Sequence, residues 1–284
     1  MPVPQLGEPR HDPSASGSDT GSTVRVAAVG DLHCGRYPQA ALHALLTRAA
    51  AEGDLLLLCG DLVDRGLPDE ARLLARELSA VDVPIVAVLG NHDVEADHVS
   101  EVLEILADAH VHVLDGDCLT VLGIGIAGVK GFAGGFGSYA LGAWGEPAIK
   151  AFVHEAVEEA LKLEAALSRL GDGPRVAILH YAPIVETVIG EAPEVFPFLG
   201  SSRLEDPLNH YGVTAVFHGH AHRGAPEGRT SGGAPVFNVA VPVLERLWPD
   251  RPPFRKLEIS VPAAAASPRP SAAASGPPGA EWTR

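Results

Sequence analysis

The chain has 284 residues, of which 46% are hydrophobic, and it carries a formal net charge of −15. This composition is sufficient for one large hydrophobic core, and the negative charge disfavours loose binding to nucleic acid, which depends on basic patches. No apolar run reaches the roughly 18 residues that a membrane span needs. The three cysteines are an odd number and include no Cys-x-x-Cys pair, which argues against a disulfide framework.

Both ends of the chain have the composition of disordered segments. Residues 1–22 and 262–284 are rich in small residues and proline and show no apolar periodicity. The amino-terminal segment also lacks the apolar stretch of a secretory signal, so we expect a cytoplasmic protein. The folded part is therefore predicted to be one domain over residues 23–261, flanked by two disordered tails.

Short apolar runs alternate with longer helical patterns along the first half of this domain. Buried strands are predicted where a run is apolar on both faces, at Val24–Gly30, Leu55–Gly60 and Pro84–Gly90. Helices are predicted at Pro38–Ala51, Pro68–Ala80 and Ala96–Ala109. This alternation is typical of βαβ units and hence of a parallel sheet.

The second half of the domain indicates a second sheet. A long helix is predicted at Pro147–Leu170. Strands are predicted at Leu119–Val129, Val176–Leu179, Ala215–Phe217, Pro235–Val241 and Lys256–Val261. Because ligands of α/β sheets bind beyond the carboxyl ends of the strands, polar residues that follow these runs are expected to meet at one rim.

Residues with metal-binding side chains follow five of the predicted strands, and four of the five groups begin directly after a glycine. In chain order the motifs are Gly-Asp31-Leu-His33, Gly-Asp61-Leu-Val-Asp64-Arg65-Gly, Gly-Asn91-His92-Asp93, His180 and Gly-His220-Ala-His222. Each alone has an ordinary explanation, since Asp and Asn cap helices and turns. Together they favour a metal centre with carboxylate, amide and imidazole ligands, which suits Mn, Fe, Zn or Co.

This ordered series of motifs resembles the calcineurin-like metallophosphoesterase superfamily, in particular its small bacterial, phosphodiesterase-like members. The resemblance implies a four-layered α/β/β/α sandwich with two mixed sheets and a dinuclear metal site at the carboxyl ends of the strands. It implies a first metal ion, with Mn or Fe favoured, held by Asp31, His33, Asp61 and His222. It implies a second metal ion, bridged to the first by Asp61, held by Asp61, Asn91, His180 and His220.

The resemblance also implies roles for residues beside the metal ions. His92 is expected to protonate the leaving group or stabilise its charge, and Asp64 to orient the His92 ring, unless Asp64 is a plain turn residue. Arg65 either contacts a substrate phosphate or forms a surface ion pair. The Gly-rich loop 128–137 is either a substrate-facing flap, with Lys130 as a phosphate contact, or an ordinary connection.

These expectations define a hydrolytic function. Two metal ions about 3.5–4 Å apart can share a hydroxide that attacks phosphorus in line with the leaving oxygen. We therefore expect a phosphoesterase acting on a phosphodiester or another small phosphate ester. A protein serine/threonine phosphatase is the alternative, favoured by Asp64-Arg65-Gly and opposed by His222 and by Asp93 in place of Glu. A non-catalytic binding module fits less well, because no predicted ligand is missing.

Overall fold

The computed structural model describes residues 21–263. The predicted tails lie outside this range except for two residues each, so they remain a prediction. The strands are β1 (Ser22–Val29), β2 (Leu55–Cys59), β3 (Ile85–Val88), β4 (Val111–Val113), β5 (Asp117–Val121), β6 (Ile124–Gly128), β7 (Arg175–Ile178), β8 (Ala215–His218), β9 (Glu227–Arg229), β10 (Pro235–Asn238) and β11 (Arg255–Val261). The α-helices are α1 (Gln39–Glu52), α2 (Pro68–Leu78), α3 (Val99–Asp108), α4 (Pro147–Ser168), α5 (Phe196–Leu199), α6 (Glu205–His210) and α7 (Val241–Leu247).

The strands form two mixed sheets. The first has the order β11-β1-β2-β3-β4, in which β1 to β4 run parallel and β11 pairs antiparallel with β1. The second has the order β5-β6-β7-β8-β10-β9, with parallel strands at its centre and an antiparallel pair at each edge. The central parallel strands β2, β3, β7 and β8 are short and almost entirely buried, as expected for strands covered on both faces.

Alternate residues of each sheet face different layers, and this alternation produces three stacked cores. On β1, Val26 and Ala28 belong to the core between the two sheets, together with Ile126 and Ile178 of the second sheet. Ala27 and Val29, on the other face of β1, pack in a core with residues of α1, α2 and α3. A third core joins the second sheet to α4 and α6. The predicted four-layered α/β/β/α sandwich is confirmed.

The strand predicted at Lys256–Val261 was expected to close the second sheet, but it belongs to the first sheet as β11, because it pairs with β1. Two other predicted strands end early for a local reason. The segment Leu119–Val129 is a hairpin, β5 and β6, because Leu122 and Gly123 both adopt positive φ angles (51° and 80°) and reverse the chain. The strand predicted at Pro235–Val241 ends at Asn238, and Pro242 lies in the first turn of α7, where its missing N–H costs nothing. Among the described residues, no helix has the length and apolar character to cross a membrane.

Candidate metal centre

The polar residues that follow the parallel strands lie at one edge, between the two sheets. The first sheet supplies Asp31 and His33 after β1, Asp61 after β2 and Asn91 after β3. The second sheet supplies His180 after β7, and His220 and His222 after β8. Asp31, His33, Asp61 and His180 are almost completely buried. The site is therefore assembled from both halves of the sandwich.

Two groups of these side chains are compact enough to hold a metal ion each. In both groups the ligand atoms lie within 4.8 Å of one another, and the groups are Asp31, His33, Asp61 and His222, and Asp61, His180 and His220. Asn91 joins the second group, because its Oδ1 lies 3.0 Å from His180 Nε2. Asp61 belongs to both groups. The structure thus brings together all seven predicted metal ligands, with the carboxylate of Asp61 between the two groups.

Hydrogen bonds to backbone carbonyls fix which ring nitrogens face the centre. The Nδ1–H of His180 donates to the carbonyl of Cys59 at 3.0 Å, so its Nε2 is the nitrogen near Asn91 and Asp61. The Nε2–H of His220 donates to the carbonyl of Phe198 at 3.1 Å, which leaves its Nδ1 for a metal ion. Metal-binding histidines generally donate their second N–H in this way, since the bond orients the ring and raises its basicity.

The environment of His33 fits a cation between the side chains. The ring of His33 is buried, and neither of its nitrogens has a hydrogen-bond partner. The Nε2 atom lies 3.7 Å from Asp61 Oδ2, and Nδ1 lies 3.2 Å from Asp64 Oδ1 without the direction of a hydrogen bond. Because an unsatisfied buried polar group is costly, the orphaned nitrogens favour a metal ion at this position.

The protonation states also suit metal binding. Burial would raise the pKa of Asp31, but a hydrogen bond from His222 and the nearby imidazoles lower it to about 2. Burial, followed by repulsion from His180, lowers the pKa of His220 to about 3. Burial opposes the charged form of His222, yet its 2.7 Å contact with Asp31 raises its pKa overall. A metal ion would therefore meet an ionised carboxylate at Asp31 and a neutral imidazole at His220, and would displace a proton from His222.

Two of the glycines before the ligands, Gly90 and Gly219, provide space and not a turn, whereas Gly60 before Asp61 has a positive φ angle of 79°. A side chain at Gly90 would collide with the carboxylate of Asp61, and one at Gly219 would collide with the carboxylate of Asp31. Neither glycine has a positive φ angle, whereas several ligands themselves do: Asp31 (58°), His33 (41°), Asp61 (47°) and His220 (69°). Left-handed backbone at non-glycine residues is strained and concentrates at functional sites. The ligand loops have this property.

Asp64 contacts both of the histidines near the first group, but through different atoms. Its backbone carbonyl accepts the Nδ1–H of His92 at 2.6 Å, which leaves His92 Nε2 as the free nitrogen of that ring. Its carboxylate lies beside His33 Nδ1. Arg65 is exposed, and its Nε lies 3.9 Å from Asp64 Oδ2. The roles of His92, Asp64 and Arg65 in catalysis stay predictions. The 3.2 Å distance between Asp64 Oδ1 and His33 Nδ1 leads us to expect that Asp64 also supports His33 once a metal ion is bound.

Substitution of Asp64 tests this second contact. We expect Asp64→Asn to weaken metal binding by roughly 10- to 100-fold, because a carboxylate behind a ligating histidine raises its basicity. The contact of His92 should persist, since it is made to the backbone carbonyl. Affinity is measured by competition with a chromogenic chelator, with Arg65→Gln as the neighbouring control. Full metal affinity combined with a changed response to the leaving group would instead support the role towards His92 that the sequence implies.

Asp93 is a buried residue of the site whose function the motif alone did not reveal. Its carboxylate accepts backbone N–H groups from Leu62 (3.2 Å), Val63 (2.8 Å) and Gly90 (2.7 Å), and so ties the loop after β2 to the loop after β3. Burial, followed by repulsion from Asp61, raises its pKa to about 7, against the effect of these donors. The only signal in the sequence was its place in the Gly-Asn-His-Asp motif.

Two other candidate residues point away from the centre. The ammonium of Lys130 donates to the carbonyl of Gly131 and lies over the rings of Phe132 and Tyr181, at 5.1 and 5.4 Å, where burial lowers its pKa. The ring of His218 is fully buried behind the ligands, with Nε2 2.8 Å from Thr187 Oγ1. Neither side chain belongs to the metal-binding groups. Lys130 contributes to the site through its carbonyl, which accepts the backbone N–H of His180.

A four-layered sandwich with two adjoining ligand groups at its strand ends defines a metallophosphoesterase. The comparison with protein families agrees, because the model described as "Calcineurin-like phosphoesterase" matches residues 24–224, more than half of the chain. The chain therefore belongs to the calcineurin-like phosphoesterase family.

Individual relatives are more distant. The chain is 28% identical over 222 residues to a probable cyclic nucleotide phosphodiesterase of Synechococcus sp., an alignment that covers 73% of this chain and 76% of that protein. The fold of the present chain is similar to that of phosphopantetheinyl hydrolase from Mycobacterium tuberculosis, with a TM-score of 0.60 and 17% identity. This match covers 84% of the present chain and 96% of the hydrolase. The fold is also similar to that of the protein TT1561 of Thermus thermophilus, with a TM-score of 0.51, 14% identity, and coverage of 83% and 98%. At these identities the two structures show the fold alone.

Proposed function

We propose that this protein hydrolyses a phosphodiester or another small phosphate ester with two metal ions. The observation that supports this proposal is the carboxylate of Asp61, which is shared by two ligand groups that the rest of the site completes from both sheets. Metal ions bound there would supply a nucleophile from water at neutral pH and would neutralise charge on the phosphate oxygens. Mn and Fe are our proposed ions, since the donors are oxygen and nitrogen without sulfur.

The residues of the chain itself have separate tasks in this proposal. The backbone N–H of His92 donates to Asp61 Oδ1 at 2.9 Å, so the loop of His92 is attached to the shared carboxylate. Nε2 of His92 is free to give a proton to the leaving oxygen, because Nδ1–H is hydrogen-bonded to the backbone carbonyl of Asp64. Arg65, which is exposed beside Asp64, is our proposed contact for a substrate phosphate.

A protein serine/threonine phosphatase is the second candidate, favoured by the Asp64-Arg65-Gly motif. The contact of His222 with Asp31 in the first ligand group supports a phosphoesterase that acts on small substrates instead. The name of the Synechococcus relative supports it as well. A panel assay with Mn-loaded protein separates the candidates by comparing bis-p-nitrophenyl phosphate, p-nitrophenyl phosphate, cyclic nucleotides and a phosphopeptide. Fastest turnover of the phosphopeptide would contradict our proposal and support the phosphatase.

Removal of metal provides a direct prediction. We expect a chelator to abolish hydrolysis of bis-p-nitrophenyl phosphate and Mn²⁺ to restore it, because no other group of the site can neutralise the phosphate oxygens to the same extent. The metal content per chain, measured by elemental analysis before and after chelation, should change in proportion to the activity. Full activity in protein that contains no transition metal would contradict the proposed mechanism.

A further inference from the structure

Two segments near the metal centre contain no charged residue. Residues 131–145 and 195–202 include no Asp, Glu, Lys, Arg or His, in a chain in which 20% of residues are charged even without His. The same part of the chain is rich in aromatic residues. Eight of the 15 Phe, Trp and Tyr residues lie within residues 130–152 and 181–203. We call the two uncharged segments together the apolar lip.

Backbone hydrogen bonds join the two segments of the apolar lip to each other. The N–H of Gly134 donates to the carbonyl of Pro197 at 2.7 Å, and the N–H of Gly135 donates to the carbonyl of Gly200 at 2.8 Å. The N–H of Ser202 returns a bond to Gly135 at 3.1 Å. The two segments are therefore one structural unit, which is formed independently of any substrate.

The apolar lip adjoins the metal centre directly. The carbonyl of Phe198 is the acceptor for the Nε2–H of the ligand His220. A series of rings also leads outward from this ligand. Tyr181 lies 4.4 Å from His220, and Phe132 lies 5.9 Å from Tyr181, as measured between ring centroids. Phe152 lies 5.0 Å from Phe132 and 6.2 Å from Phe198. A substrate whose phosphate is bound at the metal centre would thus have an aromatic surface beside it.

The outermost rings of the apolar lip are exposed. Tyr139 is 88% exposed, Trp144 is 74% exposed and Phe198 is 58% exposed. A group of exposed aromatic side chains marks a binding site more often than an ordinary protein surface. Because the carbonyl of Phe198 contacts the ligand His220, the occupant that fits this surface best is part of a substrate bound at the centre.

We propose that the apolar lip binds the organic group of the substrate and that this group is a flat ring. Aromatic side chains stack on flat rings, and the exposed rings of the lip offer such a surface. This inference rests on the proposed function, and it names the substrate class as phosphate esters that carry such a ring. Phe198 and Tyr139 are the specificity-determining residues.

Calorimetric titration of the Mn-loaded protein tests the inference without depending on turnover. Phenylphosphonate and methylphosphonate present the same phosphonate group, which a phosphoesterase cannot hydrolyse, and differ only in the ring. We expect phenylphosphonate to bind roughly 3- to 10-fold more tightly, the range that aromatic pairs usually contribute. Phe198→Ala and Tyr139→Ala should each reduce this preference. Phe198→Leu, which keeps an apolar side chain but no ring, should reduce it as well.

The controls separate the lip from the metal centre. Elemental analysis should show unchanged metal content in Phe198→Ala, since the carbonyl that contacts His220 belongs to the backbone. Leu161→Ala, which removes an exposed apolar side chain from α4 outside the lip, should leave the preference intact. Equal affinity for the two phosphonates, or a preference that both alanine variants retain, would overturn the inference. A preference lost in these variants, with no hydrolysis of any ester, would support the lip and contradict the proposed function.

Discussion

Replacement of Asp61 by alanine is expected to remove both metal ions and to slow hydrolysis of bis-p-nitrophenyl phosphate by roughly 10³-fold or more. Asp61 is the one residue common to both ligand groups, and its two oxygens face different partners. Oδ1 lies 3.3 Å from His180 Nε2, and Oδ2 lies 3.7 Å from His33 Nε2. Elemental analysis of the purified variant gives the metal content per chain.

Asn91→Ala is the matched control for the bridging role of Asp61. Asn91 joins the second group and not the first, through the 3.0 Å contact of its Oδ1 with His180 Nε2. This variant should therefore lose one metal ion in preference to the other and keep part of its metal content. If Asp61→Ala loses no more metal than Asn91→Ala, the two groups do not share a ligand and the proposed bridge is wrong.

Replacement of His92 by alanine is expected to leave both metal ions bound and to slow turnover by roughly 10²–10⁴-fold, the usual contribution of a general acid. The Nδ1–H of His92 donates to the backbone carbonyl of Asp64, and Nε2 on the other side of the ring is free. The loss should be largest for esters with alkoxide leaving groups, which need a proton most. It should be smallest for p-nitrophenolate, which leaves without assistance.

A series of esters with leaving groups of increasing pKa measures this effect as a slope. The slope should be steeper for His92→Ala than for the unmodified protein. Arg65→Gln is a suitable comparison, because Arg65 is exposed nearby and a phosphate contact would raise KM without changing the slope. Equal losses for every leaving group, or loss of a metal ion, would mean that His92 binds substrate or supports the centre.

The sequence could predict that the seven candidate metal ligands meet at one edge, because their positions follow from the strands. Runs that are apolar on both faces, such as Leu55–Cys59, must be buried, and the residue after such a run must leave the sheet at its carboxyl edge. The four-layered fold was predictable through the family resemblance. Its physical origin is visible on β1, where alternate side chains pack into the core between the sheets and into the core with the helices. Whether each residue performs its predicted role is a question for the variants described above.

Other features depended on contacts that no local pattern contains. The support of His33 by Asp64 depends on which atom of Asp64 faces which ring, and the sequence gives only their separation. The hairpin at Leu122 was missed because leucine rarely adopts the positive φ angle that it has there. The apolar lip was visible as an uncharged stretch, but its relation to the centre depends on the bond between Phe198 and His220, 22 residues apart.

The origin of the ligands in both sheets has a consequence for how the protein responds to metal supply. Each ligand group contains residues that follow strands of the first and the second sheet, so a metal ion bound at either position would join the two halves of the sandwich as a cross-link. A metal ion that binds only the folded chain adds about 2.7 kcal/mol to the free energy of unfolding at a concentration 100 times its dissociation constant. The melting temperature should therefore rise with free Mn²⁺, and a cell that runs short of the ion would lose folded protein as well as activity.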